Sequence, residues 1–387
     1  MPPRIAVLAS HVIQYQDPFF RLLAAEPELD LTVLYCSRAG AEVYRDEDMK
    51  TTLKWDLEML QGYDYHFLRN FGFGDGYTRL INPGVIPAIL RGHYDAVILF
   101  LGWGTITSLL AIAACRMTNT PFLLFGDSSF PPPAATFKGK MRAAFMRTIV
   151  RLTSGFLTSG KVNAEYYRHY GADPSRFSLV PWAIDNERFA NTPTDPELRR
   201  RIGARDDQLV IVFSAKFIPR KDPMTLLRAV DAMRQRDRAL VLFLGHGELR
   251  GELEAFTRER NLQVHFAGFI NQADLPKYYK AGDVFVLPSL DEPRGSVLNE
   301  AMACGLPVIA TDRVGAVGDI VLDGENAFVF EPGDVQALSR ALDRLIEEPG
   351  LRERMAQRSR VLIADWDYAH GVRGVKDAVQ RIARGER

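Results

Sequence analysis

Short apolar runs alternate with stretches of helical periodicity along this chain, and the whole alternation occurs twice. The first set lies at 5–8, 31–35, 97–101, 122–125, 155–158 and 177–180; the second lies at 209–214, 240–244, 264–267, 284–287, 308–311 and 327–330. An apolar run this short, bounded by turn residues, reads as a strand buried on both faces. Strands that alternate with helices must be joined by right-handed crossovers, which makes each set a parallel sheet covered by helices. Two similar α/β halves of Rossmann type are therefore expected, and 387 residues are too many for one ordinary core. Between them, 186–208 is polar and charged, the composition of a surface linker running into a short helix. This sets an N-terminal domain over 1–184 and a second over 185–365. Three helical stretches follow Pro332. The last, 366–387, has no strand after it and is expected to pack back on the first domain.

One segment competes with that scheme. Residues 96–115 are twenty in a row without a charge, long enough to cross a bilayer. Gly102, Gly104, Thr105, Thr107 and Ser108 interrupt its middle, so strand, loop and buried helix is the preferred reading. The opening MPPRIAVLASHVIQ lacks the long apolar region of a signal peptide and reads as a first strand, and a cytoplasmic location is expected. Lys plus Arg and Asp plus Glu each number 48, so no global positive field exists to hold nucleic acid. Three widely spaced cysteines, Cys36, Cys115 and Cys304, fit neither a disulfide framework nor paired zinc knuckles.

Ligands of open α/β sheets bind beyond the carboxyl ends of the strands, which directs attention to the segments that follow them. The most informative is 288–311, PSLDEPRGSVLNEAMACGLPVIAT. A strand ends at Leu287, a loop carries Glu292, and a helix is expected from Gly295 and Ser296 to a left-handed cap at Gly305. Amides of Ser296 and Val297 at the positive helix end suit a diphosphate or sugar hydroxyls. Glu300, about 6 Å further along the axis, suits ribose hydroxyls, and Glu292 can face the sugar. Either glutamate alone would be an ordinary acid at a helix start. Together, in a strand-loop-helix setting, they point to a nucleotide sugar.

Two glutamates separated by seven residues, in E-P-x-G-x-V-x-x-E-A-M-A-C-G-x-P-V-I, resemble the signature of retaining glycosyltransferase family 4. The similarity continues through Asp312, Val314-Gly315-Ala316, Asp323-Gly324 and Pro332-Gly333-Asp334, and covers essentially the whole second half. Pro181, Asp185 and Phe189 are similar to the family's hinge segment, and His11-Val12-Ile13-Gln14-Tyr15 looks like the opening of one bacterial subgroup. The resemblance implies a GT-B fold, a nucleotide-diphosphate sugar donor held by the second half, a saccharide or lipid-linked acceptor in the first, and retention at the anomeric carbon. In the family's favoured account the leaving phosphate itself accepts the acceptor proton; no cofactor is expected, and no metal either, since lysines rather than closely spaced acids stand in the donor loops. An isomerase on the same architecture, such as a nucleotide-sugar epimerase, and a catalytically silent nucleotide-sugar binder are the alternatives.

Lys216 and Lys221, after the strand 209–214 and before a helix capped by Asp222, can neutralise the diphosphate. The family usually has Arg where Lys216 stands, so charge is kept and a bidentate fork is lost. Arg220 reads as a bystander. Gly245-His246-Gly247 mimics a dinucleotide fingerprint, but no acid ends the next strand, so Gly245 and Gly247 are expected to allow close approach of donor ribose or base. Asp127 stands where the family commonly has a histidine; it and His11, at the end of the first strand, are both candidates to meet the outer hydroxyls of the sugar. Closely spaced acids do occur, as Asp46-Glu47-Asp48 and Asp365-Trp366-Asp367, but in neither case within a credible donor loop. Finally, 128–164 holds Lys138, Lys140, Arg142, Arg147, Arg151 and Lys161 and no acid, interleaved with apolar residues. That pattern suits an anionic membrane surface, reached from the cytoplasmic side, as well as a core-packing helix with a solvated basic face.

Overall fold

The computed structural model describes residues 1–46, 51–72, 79–128, 130 and 136–385. Glu47 and Asp48 of the acidic triplet, and Ser129, two residues after Asp127, lie outside the described residues. The chain forms two compact units: Met1–Tyr44, Glu58–Trp182 and Tyr368–Arg387 make the first, and Arg45–Leu57 with Ala183–Asp367 make the second. That 45–57 groups with the second unit was not anticipated from the sequence.

In chain order the strands up to the crossing are β1 (Arg4–Ala9), β2 (Asp30–Tyr35), β3 (Tyr44–Asp46), β4 (Thr51–Leu53), β5 (Asp64–Phe67), β6 (Ala96–Leu99), β7 (Phe122–Gly126), β8 (Gly155–Thr158) and β9 (Phe177–Leu179). β3 and β4 form a two-stranded ribbon; the other seven form one sheet in the order β5-β2-β1-β6-β7-β8-β9. Every described pairing in that sheet is parallel. Its helices are α1 (Asp17–Ala24), α2 (Val85–Gly92), α3 (Ile106–Thr118), α4 (Phe137–Leu152) and α5 (Lys161–His169). The central strands are buried on both faces, as continuous apolar runs require. β5 escaped sequence reading because it is an exposed edge strand, DYHF, with no apolar run to mark it.

The uncharged segment 96–115 resolves into β6, a loop that turns at Gly102 (φ +69°), and α3, whose start is capped by the Thr105 hydroxyl accepting from the Ser108 amide. Among the described residues no helix is long and apolar enough to cross a membrane. The three cysteines are free and buried.

The second unit repeats the plan with β10 (Leu209–Ser214), β11 (Ala239–Leu244), β12 (Val264–Gly268), β13 (Val284–Leu287), β14 (Val308–Thr311) and β15 (Ala327–Phe330), in the order β12-β11-β10-β13-β14-β15. Its helices are α6 (Asn186–Asn191), α7 (Pro196–Arg201), α8 (Pro223–Asp231), α9 (Arg250–Arg260), α10 (Leu275–Lys280), α11 (Ser296–Ala303), α12 (Val335–Glu347) and α13 (Pro349–Ala364). The polar stretch read as a linker contains two short helices, α6 and α7, each started by an aspartate, Asp185 or Asp195, that accepts from a backbone amide of its first turn. From β10 the chain winds outward through β11 to β12, then returns to β13 on the other side of β10. Strand order therefore reverses between β10 and β13, and the loops that leave their carboxyl ends are neighbours at that switch point.

The last helix, α14 (Tyr368–Ala383), returns to the first unit and packs on α1, β8 and β9. Val372, Val375, Ala378, Val379 and Ile382 form its buried stripe, while Arg381 donates to the carbonyls of Ser175 and Phe177. The approach is closest at Gly374, where a Cβ would stand 2.0 Å from the Leu179 carbonyl oxygen. In an open helix Gly→Ala stabilises; here backbone blocks the methyl group. Gly374→Ala is expected to destabilise the first unit by about 1 to 3 kcal/mol, read as an earlier urea midpoint of the full chain. A midpoint equal to or later than wild type would show that α14 is not docked so closely.

Candidate active site

At the switch point, the loop after β10 and the loop after β13 are fastened to each other by backbone. The Leu290 amide donates to the Arg220 carbonyl at 2.9 Å, and the Arg220 guanidinium returns a bond to the Asp291 carbonyl at 2.9 Å. On its other flank the β13 loop is laced to 313–315. The Glu292 amide donates to the Arg313 carbonyl, and the Gly315 amide donates to the Glu292 carbonyl. A Cβ at Gly315 would lie 1.8 Å from the Pro293 carbonyl oxygen, so only glycine permits this contact.

This lacing brings Lys221 to Glu292. The ammonium donates to Glu292 Oε2, and both side chains are almost removed from solvent, at 13% and 11% exposure. Burial pushes the Lys221 ammonium below its ordinary range, and the glutamate opposes that shift. Arg220 Nη1 stands 3.7 Å from the same carboxylate oxygen. Arg220, read above as a bystander, therefore anchors the loop that carries Glu292. Lys216 lies close enough for its charge to act on Lys221. Two cations, Lys221 and Arg220, thus stand within 4 Å of one buried carboxylate, with Lys216 near Lys221. A cluster of cations of this kind can receive a phosphate group.

Gly295 follows at φ +80°, the left-handed region where glycine is favoured, and opens α11 without a capping side chain. The first amides of α11, those of Ser296 and Val297, have no carbonyl partner within a helix and no side-chain cap. Other helices of this unit start with aspartates at Asp185, Asp195, Asp222 and Asp334. The expected cap at Gly305 is present, with φ +77°. One turn into α11, Glu300 is buried and its Oε2 accepts from the Tyr279 hydroxyl at 2.7 Å. Burial raises the Glu300 carboxyl to about 7, against the opposing pulls of Tyr279 and the Arg188 charge.

The structure brings Glu292, Lys221, Lys216, Gly295, Ser296, Val297 and Glu300 to the carboxyl edge of the second sheet. Gly245 and Gly247 lie at the same edge, after β11, where the chain's own backbone already requires glycine. A Cβ at Gly245 would meet the Ala215 carbonyl oxygen at 2.1 Å, and one at Gly247 would meet the Phe217 carbonyl oxygen at 2.5 Å. Their freedom is taken up by the chain's own β10 loop, which is zipped on through Ala215 to Leu244 and Phe217 to His246. His11 and Asp127 lie in the first unit, after β1 and β7, strands separated by β6; His11 Nδ1 bonds Ser10 Oγ at 3.0 Å, and Asp127 is exposed. Two functional candidates were missed from sequence. Tyr279 lies on α10, 21 residues before Glu300; a buried tyrosine on the helix Leu275–Lys280 needs a hydroxyl partner, and that demand was the available signal. Arg294 sits inside the two-glutamate motif itself, and its burial could not be read there.

Residues 194–361 match the family described as glycosyl transferases group 1. The chain is 33% identical over 361 residues to the D-inositol 3-phosphate glycosyltransferase of Salinispora arenicola, covering 82% of this chain and 78% of the relative. It is 31% identical over 310 residues to that of Actinosynnema mirum, covering 73% and 72%. Among solved structures, HepE of Anabaena in complex with UDP and glucose aligns over 99% of both chains with a TM-score of 0.70 at 20% identity. Sucrose-phosphate synthase of Thermosynechococcus elongatus aligns over 99% and 100% with a TM-score of 0.73 at 18% identity. The GT-B fold is shared with both.

Glu300 gives a pH signature. A carboxyl held near 7 when folded and near 4.5 when unfolded contributes stability that is complete below about 4.5 and is lost as pH rises through about 7. Relative to Glu300→Gln, wild type should therefore lose about 2 to 3 kcal/mol between pH 5 and pH 8 in urea unfolding. Parallel pH profiles for the two proteins would contradict the buried, proton-holding carboxyl.

Proposed function

From its place among the group 1 glycosyltransferases, the family to which this chain belongs, we propose that it moves a sugar from a nucleotide-diphosphate donor to a saccharide or lipid-linked acceptor with retention. The observation that carries this reading is the cluster at the switch point: a buried Lys221–Glu292 pair with Lys216 and Arg220 around it, beside the uncapped start of α11 and one turn from Glu300. Names of relatives and neighbours support the donor class, since they include glycosyltransferases and a protein bound to UDP and glucose. The epimerase alternative is not favoured by this membership.

The chemistry follows from the charges. As the bond from the anomeric carbon to the diphosphate breaks, positive charge grows on the sugar and negative charge on the leaving oxygen. Lys221, Lys216 and the amides of Ser296 and Val297 face the leaving group in this proposal, so the stabilising charge is supplied by the protein and no divalent ion is assigned. Lys221 also holds the Glu292 carboxylate in place. The second oxygen of that carboxylate then meets a sugar hydroxyl as the ring becomes cationic. Oε1 of Glu300 is the oxygen offered to the ribose diol, accepting when the carboxyl is ionised and donating when it holds its proton, while Tyr279 fixes Oε2. In the first unit, His11 and Asp127 are the candidates for outer sugar or acceptor hydroxyls.

For the acceptor side we propose an anionic lipid surface. α4 buries Ala143, Met146, Ile149 and Val150, yet exposes Phe137, Met141 and Phe145 at four-residue spacing, Phe137 to 78%. Lys138, Lys140, Arg142, Arg147 and Arg151 are exposed around that ridge. Apolar side chains on the outer face suit the headgroup boundary better than a solvated basic face does.

Two experiments test these readings. Glu300→Ala should raise the donor KM about tenfold to a hundredfold with a smaller change in kcat, whereas Glu292→Gln should lower kcat about a hundredfold with donor KM nearly unchanged. Steady-state transfer kinetics across several nucleotide sugars, with free nucleotide and epimerised sugar followed separately, read both; unchanged constants in both variants would remove the site assignment. In liposome flotation the protein should rise with anionic vesicles and remain below with neutral ones, and Phe137→Ser/Phe145→Ser should abolish the difference. Equal recovery with both vesicle types would return α4 to a solvated face.

A further inference from the structure

A guanidinium inside the two-glutamate motif has left water. The Arg294 and Asp319 side chains are 5% and 3% exposed, and Arg294 Nη1 donates to Asp319 Oδ2 at 2.8 Å and to the Gly315 carbonyl at 3.2 Å. Its guanidinium carbon lies 4.8 Å from the ring centroid of Trp366, near the point where the chain leaves the second unit. Arg294 Nε and Nη2 are buried without an acceptor. Buried ion pairs are commonly replaced by apolar residues at no loss of stability, and orphaned donors add a penalty. Stability alone therefore gives no reason for this arrangement.

Position does. The peptide of Gly315 is gripped twice by the loop that carries Glu292: its N–H donates to the Glu292 carbonyl, and its C=O accepts from Arg294. Asp319 belongs to the turn that continues from Gly315, closed by amides of Asp319 and Val321 donating to the Ala316 carbonyl. Arg294 thus bolts that turn to the chain two residues after Glu292, just before the direction change at Gly295. We propose that Arg294, paired with Asp319, is a positioning residue that sets the angle at which the Glu292 carboxylate meets Lys221 and the donor sugar. The proposal rests on the glycosyltransferase reading for its effect on turnover and on the geometry alone for its effect on the ion pair.

The test uses the full chain carrying Arg294→Met with Asp319→Leu, which removes both charges together, and Arg294→Lys, which keeps the charge without the planar group that lies over Trp366. Both should stay folded, with kcat down at least tenfold and donor KM within about threefold of wild type. In parallel, Lys221→Met, Glu292→Gln and their combination are made in the parent and in the Arg294→Met/Asp319→Leu background. The coupling between Lys221 and Glu292 in urea midpoint should be present in the parent and lost in that background. If the charge-free pair proves unfolded, Asp319→Asn replaces it in both measurements. A folded variant with kcat within twofold of wild type and undiminished coupling overturns the proposal. Should wild type transfer no sugar from any nucleotide donor, the functional reading fails, while the cycle, which needs no substrate, still decides the positioning claim.

Discussion

A lysine and a glutamate taken out of water together govern the organisation of the second unit's carboxyl edge. Lys221 and Glu292 lose their hydration on burial, and only their mutual neutralisation makes that tolerable. For the pair to form, the loops after β10 and β13 must lie side by side, which the reversal of strand order at β10 ensures. Once formed, the pair fixes a carboxylate with a cation beside it at the carboxyl edge of the sheet. In the proposed reaction the same contact serves structure and chemistry.

Glycine placement makes the close approach of these loops feasible. Gly315 permits the 313–315 segment to lie against Pro293, Gly245 and Gly247 let the β11 loop press on Ala215 and Phe217, and Gly295 turns the chain into α11. All of these contacts are made within the chain itself. Preorganisation of this kind lets charges stand ready for the transition state without reorganising when it forms. Glu300, held by Tyr279 in a buried site, belongs to the same preset frame.

Much of this was legible in the sequence, for identifiable reasons. The doubled strand-helix alternation led to two parallel sheets, because a strand buried on both faces must be a continuous apolar run, and the last helix without a following strand does return to the first unit. The glutamate pair was visible through its spacing and its strand-loop-helix setting. β5 was not visible, since an edge strand exposes its side chains and carries no such run. Tyr279 and Arg294 were missed because their roles depend on burial by distant segments, Tyr279 under α11 and Arg294 against Asp319 and Trp366. At Gly245 and Gly247 the sequence marks a close backbone approach without naming the neighbour, and the structure supplies Ala215 and Phe217.

In the proposed reaction the charge stabilising the leaving diphosphate belongs to the chain, through Lys221 above all. This is tested most directly by measuring sugar transfer with wild type and with Lys221→Ala, each in excess EDTA and with added Mg²⁺. The wild-type rate should be indifferent to both additions and the Lys221→Ala rate lower by about tenfold to a hundredfold, the worth of a charge-assisted phosphate contact. Wild-type transfer abolished by EDTA and restored by Mg²⁺ would contradict it.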